Sequence, residues 1–313
     1  MNQSKKLTDG ALLLAVYTIL LLILTYIPIP ILSLVTFFLL PVPFILYASK
    51  YDYKPTFIVL ILAIILTIMF ASVFSLATPI IVGLGGMMIG GGIYRNMEAF
   101  ETLARGTFGF IIGLLFFYLY TQVLFDINWI QDIKQMVTES MDMSRSVFEQ
   151  FGLGTETDVE EILQGYITYI TNLLPMFLVL SALVFAFISQ WIGYRMINRL
   201  ENKELKFPPF RSIQFPTSFI WIYFIALILS FLIADTSSLF YIAIQNIVMI
   251  ISVFLTIQGF SFIFFYTHHK EMSKSIPVIA IIAAIILPLL IDLVRIIGIL
   301  DIGFKLREQL KKK

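Results

Sequence analysis

Polar and apolar positions in this chain are segregated rather than interleaved. Nine stretches, 11–27, 29–49, 55–77, 79–94, 106–125, 166–194, 215–234, 239–267 and 276–291, contain no Asp, Glu, Lys or Arg. An α-helix rises about 1.5 Å per residue, so roughly 20 residues cross about 30 Å of hydrocarbon. Seven of the stretches reach that length within the usual tolerance, while 79–94 and 276–291 are short. The runs are continuously apolar, whereas strands of a membrane barrel alternate over about 10 residues, so a barrel is excluded. The pattern predicts an all-α polytopic membrane protein with about nine transmembrane helices, each satisfying its own backbone in lipid.

Composition agrees with the pattern. The chain is 59% hydrophobic and 13% charged, against about 25% charged residues in a soluble domain. All 21 basic and 20 acidic residues lie between the stretches. A net charge of +1 gives no polyanion signal, and no nucleic-acid-binding module is visible. With no cysteine there is no disulfide framework, thiolate metal site or thiol nucleophile. Lys5 and Lys6 precede an apolar run as in a secretory signal, but no A-x-A cleavage site follows and eight more hydrophobic stretches do. The first stretch is therefore read as a retained helix.

Charge also sets an orientation, because Lys and Arg in short loops mark the cytoplasmic side. Lys5 and Lys6 therefore place the N-terminus on the cytoplasmic side of a cell membrane. Alternation then puts Lys50 and Lys54, Arg95 and Arg105, Arg195 to Arg211, and Lys270 with Lys274 inside as well. Residues 126–165, with two basic residues against nine acidic ones, fall outside. The ninth stretch conflicts with this scheme, because a full crossing delivers Arg295, Lys305, Arg307 and Lys311 to Lys313 to the outer face. Either the rule fails at this end, or the segment around Pro288 stops short, or an earlier short stretch is re-entrant. Nine is kept as the count; an eight-crossing version leaves the tail inside.

Three regions follow: a six-helix module over 1–198, a basic cytoplasmic linker over 199–214 containing Pro208 and Pro209, and a three-helix module with a basic tail over 215–313. Within the first, 126–165 is an insertion. Ile127, Ile130, Ile133, Val137, Met141, Phe148 and Phe151 follow a partial helical spacing, which predicts an amphipathic helix at the outer mouth. Gly152 to Gly154 end it, and Thr157 to Glu160 resemble a new helix start. This insertion is either a solvated connector or a lid. No internal repeat supports an inverted-repeat transporter.

The glycine-rich run from Gly83 to Gly92 lacks the G-x-G-x-x-G and G-K-[ST] patterns of phosphate loops and follows no strand. What remains is GxxxG spacing at Gly86 and Gly90, and again at Gly109 and Gly113, which predicts close packing of the fourth and fifth stretches. Glu98, Glu101 and Arg105 are spaced to pair at a surface turn, and Asp292 and Arg295 to pair at i, i+3. His268 and His269 are adjacent and lack the i, i+4 spacing of a helical zinc pair. No catalytic or metal constellation is legible and no cofactor is called for, so the chain is not expected to be an enzyme. Ionisable residues inside the bilayer, the usual mark of ion paths, are nearly confined to Asp292, Arg295 and Asp301. At the outer ends of the first six stretches, Tyr118, Gln122, Trp129, Tyr169 and Asn172 supply aromatics and amides suited to a small-molecule pocket. An interfacial aromatic belt explains Trp129 and the tyrosines equally well, but unpaired amides in hydrocarbon are costly, which singles out Gln122 and Asn172.

The segment Lys6-Leu7-Thr8-Asp9-Gly10-Ala11-Leu12-Leu13-Leu14-Ala15-Val16-Tyr17 resembles the start of the YybS-like family of bacterial membrane proteins, and Gly298 to Phe304 extends that resemblance toward the end. More distantly, about residues 1 to 200 are similar to the substrate-binding S components of energy-coupling-factor (ECF) transporters. Those have six helices, and a small-residue AxxxA face on the first one meets the transmembrane coupling subunit. Ala11 and Ala15 match that spacing. The resemblance implies an S-component-like module for small-molecule uptake, with ECF-type transmembrane and ATPase subunits as partners beside the lipid bilayer. A non-transporting membrane scaffold or regulatory partner protein is the alternative.

Overall fold

The structure is a computed structural model and describes residues 3–150, 165 and 167–311. Regular structure among these residues is helical throughout. The helices are α1 (Gln3–Tyr26), α2 (Pro30–Leu39), α3 (Val42–Tyr51), α4 (Tyr53–Phe70), α5 (Ala77–Tyr94), α6 (Ala99–Phe125) and α7 (Trp129–Gln150), followed by α8 (Leu174–Glu201), α9 (Ser218–Leu232), α10 (Leu239–His269), α11 (Ser275–Ile286), α12 (Leu289–Phe304) and α13 (Leu306–Lys311). The amphipathic helix expected in the insertion is present as α7. The expected stop at Gly152 to Gly154 and restart at Thr157 to Glu160 lie outside the described residues.

Among the described residues seven spans have the length and apolarity to cross a membrane: α1, the pair α2–α3, α4, Val73–Tyr94, α6, α8 and α10. The apolar α9 has 15 residues and α11 only 12. The ninth expected stretch, 276–291, is not a single helix. It ends at Ile286 after about 18 Å of rise, Pro288 starts a new helix, and Val294 and Gly298 of α12 already lie against Gly259 and Leu255 of α10.

The chain forms two compact units, Met1–Thr171 with Phe177–Phe207, and Asn172–Met176 with Pro208–Lys313. In the first, α3 is the central element. Every residue of it except Lys50 is buried, because the fully buried Tyr17 and Leu21 of α1, Leu60 and Ala63 of α4, and Ala186 and Ile197 of α8 belong to the clusters built around it. Glycine makes this density attainable. A Cβ at Gly90 would stand 2.5 Å from the Ile45 carbonyl oxygen of α3, and one at Gly113 2.5 Å from Ile81 Cα of α5. The GxxxG spacing thus packs helices as expected, with one refinement. Gly109 and Gly113 do face α5, whereas Gly86 and Gly90 face α3.

In the second unit α9 and α10 are joined by the turn 233–238. Asp235 Oδ1 accepts hydrogen bonds from the Ser237 hydroxyl at 2.6 Å and the Ser237 N–H at 2.9 Å, which hold its carboxyl below the ordinary carboxylate range. Gly259 and Gly298 let α10 and α12 meet backbone to backbone. Lys305, in the left-handed region at φ 49°, ends α12 and turns the chain into α13.

Candidate functional site

One end of unit 1 gathers charge. Lys50 pairs with Asp9 at 3.5 Å, Tyr51 donates to Asp9 Oδ2 at 2.9 Å, and Arg95 pairs with Asp52 at 3.3 Å. That carboxylate raises the Arg95 guanidinium pKa. Lys5, Asp9, Lys50, Glu201 and Lys203 line one cavity of about 450 Å³ at this end. Basic residues of the N-terminus, the α3–α4 turn, the α5–α6 turn and the segment after α8 thus meet at this end of unit 1.

At the opposite end aromatic side chains cluster. Phe74 meets Phe117 and Phe125, and Trp129, at the start of α7, lies 5.7 Å from Phe117. The indole N–H of Trp129 donates to Thr121 Oγ1 at 2.8 Å, and Thr121 is fully buried. The Tyr120 hydroxyl donates to the Val73 carbonyl and the Tyr26 hydroxyl to that of Phe70. Among the proposed ligand contacts of unit 1, Trp129 is fixed on the end of α6, Tyr118 and Tyr169 are half-buried, and Gln122 is exposed. Asn172 groups with unit 2, where its carbonyl oxygen is engaged.

On α1 the two faces differ sharply. Gly10, Tyr17 and Leu21 are buried, with Tyr17 hydrogen-bonded to Thr67 at 2.9 Å. Ala11 and Ala15 are exposed, together with Leu12 at 61% and Ile19 at 58%.

Unit 2 holds two buried polar networks. Pro175 interrupts the helical path into α8, because proline lacks an N–H and crowds the preceding turn. The Asn246 amide of α10 bridges the interruption: Nδ2 donates to the Asn172 carbonyl at 2.8 Å, and Oδ1 accepts from the Met176 N–H at 2.8 Å. One side chain thus replaces the i→i+4 bond missing between those two residues. The second network surrounds Asp301. Its Oδ2 accepts from Gln258 Nε2 and from Arg307 Nε, the latter at 2.9 Å. Arg307 also donates to the Arg211 carbonyl at 2.8 Å and to Ser261 Oγ at 3.1 Å, while Ser261 donates to the Phe210 and Ile213 carbonyls. Gln258 accepts from the Phe215 N–H at 3.0 Å. Loop 208–215, α10 and the C-terminal tail are therefore tied together at one end of the unit. Asp292 and Arg295 pair at 3.0 Å, as their spacing predicts.

The same amide criterion that singles out Gln122 and Asn172 in the sequence applies to these networks. An amide in an apolar stretch needs a partner, and Gln190, Asn246 and Gln258 are buried amides that fit this rule better than the exposed Gln122. Gln190 Nε2 donates to the Ala99 carbonyl and to Tyr194, each at 2.8 Å. Asp301 was visible as a charge in apolar surroundings. Its partner Arg307 was hidden because the turn at Lys305 brings it back over α12.

Residues 15–302 match a family described as predicted membrane protein, DUF2232. The Uncharacterized protein YybS of Bacillus subtilis (strain 168) is 26% identical over 312 residues, covering 99% of this chain and 100% of that protein. No solved structure matches.

Proposed function

The chain belongs to the DUF2232 family of predicted membrane proteins, and on that premise we propose that unit 1 is a six-span substrate-binding module of S-component type. It serves small-molecule uptake in the cell membrane with partner subunits and has no catalytic role of its own. The observation that carries the proposal is the asymmetry of α1. One face is locked into the core through Gly10, Tyr17 and Leu21, and the other leaves Ala11 and Ala15 exposed at AxxxA spacing. Small residues on an outward face allow close approach of a partner helix in lipid. Six of the seven spans lie wholly or mainly in this unit, the number an S component uses. The convergence of Lys5, Lys50 and Lys203 at one end supports a cytoplasmic N-terminus by the positive-inside rule. The opposite end, with Tyr118, Gln122, Trp129 and Tyr169, is then the ligand-facing side. Asn172 groups with unit 2, so the proposed contacts within unit 1 are these four.

In this reading an ECF-type transmembrane subunit packs on α1 and an ATPase supplies the energy. Purification from native membranes in mild detergent, with identification of the bound proteins and small molecules, tests it. A second reading, a non-transporting scaffold, draws on loop 208–215, whose Phe210, Arg211 and Ile213 carbonyls accept hydrogen bonds from Ser261 and Arg307. A bound protein unrelated to transport, with no ligand, favours that reading.

A further inference from the structure

We propose that the loop end of unit 2 binds an anionic phospholipid, with its phosphate held by Arg211 and Lys274 and an acyl chain lying in the apolar groove alongside. A cavity of about 720 Å³ opens between loop 208–215, the end of α10 and the start of α11. Arg211, His268, His269 and Lys274 line it against a single carboxylate, Glu271, and Phe210 and Phe264 form an apolar wall. A second, apolar groove of about 360 Å³ adjoins it and includes Phe262, Ile263, Ile297 and Leu300. Thr267 and Met272 belong to both. The Thr267 hydroxyl donates to the Ile263 and Phe264 carbonyls of its own helix, so the shared wall adds no polar demand.

The surroundings point to the same ligand. Immediately beyond Lys274, α11 exposes Val278 at 48%, Ile279 at 61% and Ile282 at 52%, a surface suited to hydrocarbon. The basic cavity thus sits where the unit's surface changes from charged to apolar, as headgroup sites between membrane helices do. A soluble anion would neutralise the cations and leave the groove unfilled. An uncharged lipid would do the reverse, and an anionic phospholipid satisfies both.

The test is native mass spectrometry of the full-length protein in detergent, titrated with dioleoyl-phosphatidylglycerol and separately with dioleoyl-phosphatidylcholine. Glycerol 1-phosphate is added as a soluble competitor. Phosphatidylglycerol should be retained roughly tenfold better than phosphatidylcholine, and Arg211→Gln with Lys274→Gln should erase the difference. Lys274→Glu alone, at an exposed position, should weaken retention in the same direction and provides a second reading if the double variant folds poorly. Lys54→Gln with Lys134→Gln, both exposed in unit 1, removes equal charge and should change nothing. Equal retention of the two lipids, or undiminished preference in the Arg211 and Lys274 variants, overturns the site. Full competition by glycerol 1-phosphate overturns the acyl groove and marks a soluble-phosphate site instead.

Discussion

Arg307 Nε donates to Asp301 Oδ2 at 2.9 Å, with both side chains almost fully withdrawn from the surface. Asp301 Oδ1 has no partner among the described residues, so the carboxylate depends on Arg307 and Gln258 through its other oxygen. Removing one member of a buried ion pair typically costs about 3–5 kcal/mol, because the other charge is left uncompensated. Arg307→Met should therefore lower thermal stability in detergent strongly. Asp301→Leu combined with Arg307→Met should recover a large part of the loss. A single variant as stable as the parent would show that the pair contributes nothing.

Asn246 substitutes for one helical hydrogen bond across Pro175, and this makes a double-mutant cycle informative. Asn246→Ala leaves the Asn172 carbonyl and the Met176 N–H unpaired and should cost about 1–3 kcal/mol. In a Pro175→Ala background the helix can close its own bond, so the same substitution should cost clearly less. Denaturation midpoints of the four proteins measure the coupling. Additive effects would mean that the amide does not compensate for the proline.

The contacts of α12 and α13 place the basic tail beside loop 208–215, as the eight-crossing version expects. The chain contains no cysteine, so single substitutions report topology directly. Gln214→Cys and Glu308→Cys should react with an impermeant maleimide from the same face of the membrane, and Thr236→Cys from the opposite face. Labelling of Glu308→Cys together with Thr236→Cys would instead support nine crossings.

The membrane class and helical fold were legible because hydrocarbon imposes one rule on every residue of a span, so 11–27 or 239–267 announces itself without knowledge of its neighbours. The short elements were less legible. Residues 276–291 read as one apolar run by charge, and although Pro288 marks a place where it could stop short, only the structure shows the helix ending at Ile286 and restarting at Leu289. The polar networks needed the third dimension. Gln258 is 43 residues from Asp301, and Asn246 is 74 from Asn172, so no local spacing joins them. Ala11 and Ala15 were legible as a spacing. Only the packing of Tyr17 and Leu21 against the core tells which way that face points.

The proposed function stands on α1, and one measurement addresses it directly. The full-length protein is purified from native membranes in mild detergent beside Ala11→Leu with Ala15→Leu, and bound proteins are quantified by mass spectrometry. Both alanines are exposed, so the variant should fold normally. A transmembrane subunit and an ATPase should accompany the parent protein and be lost from the variant by roughly tenfold, the effect of about 1.4 kcal/mol at a helix interface. Recovery of the parent without such subunits, or of the variant with an undiminished complement, would contradict the account.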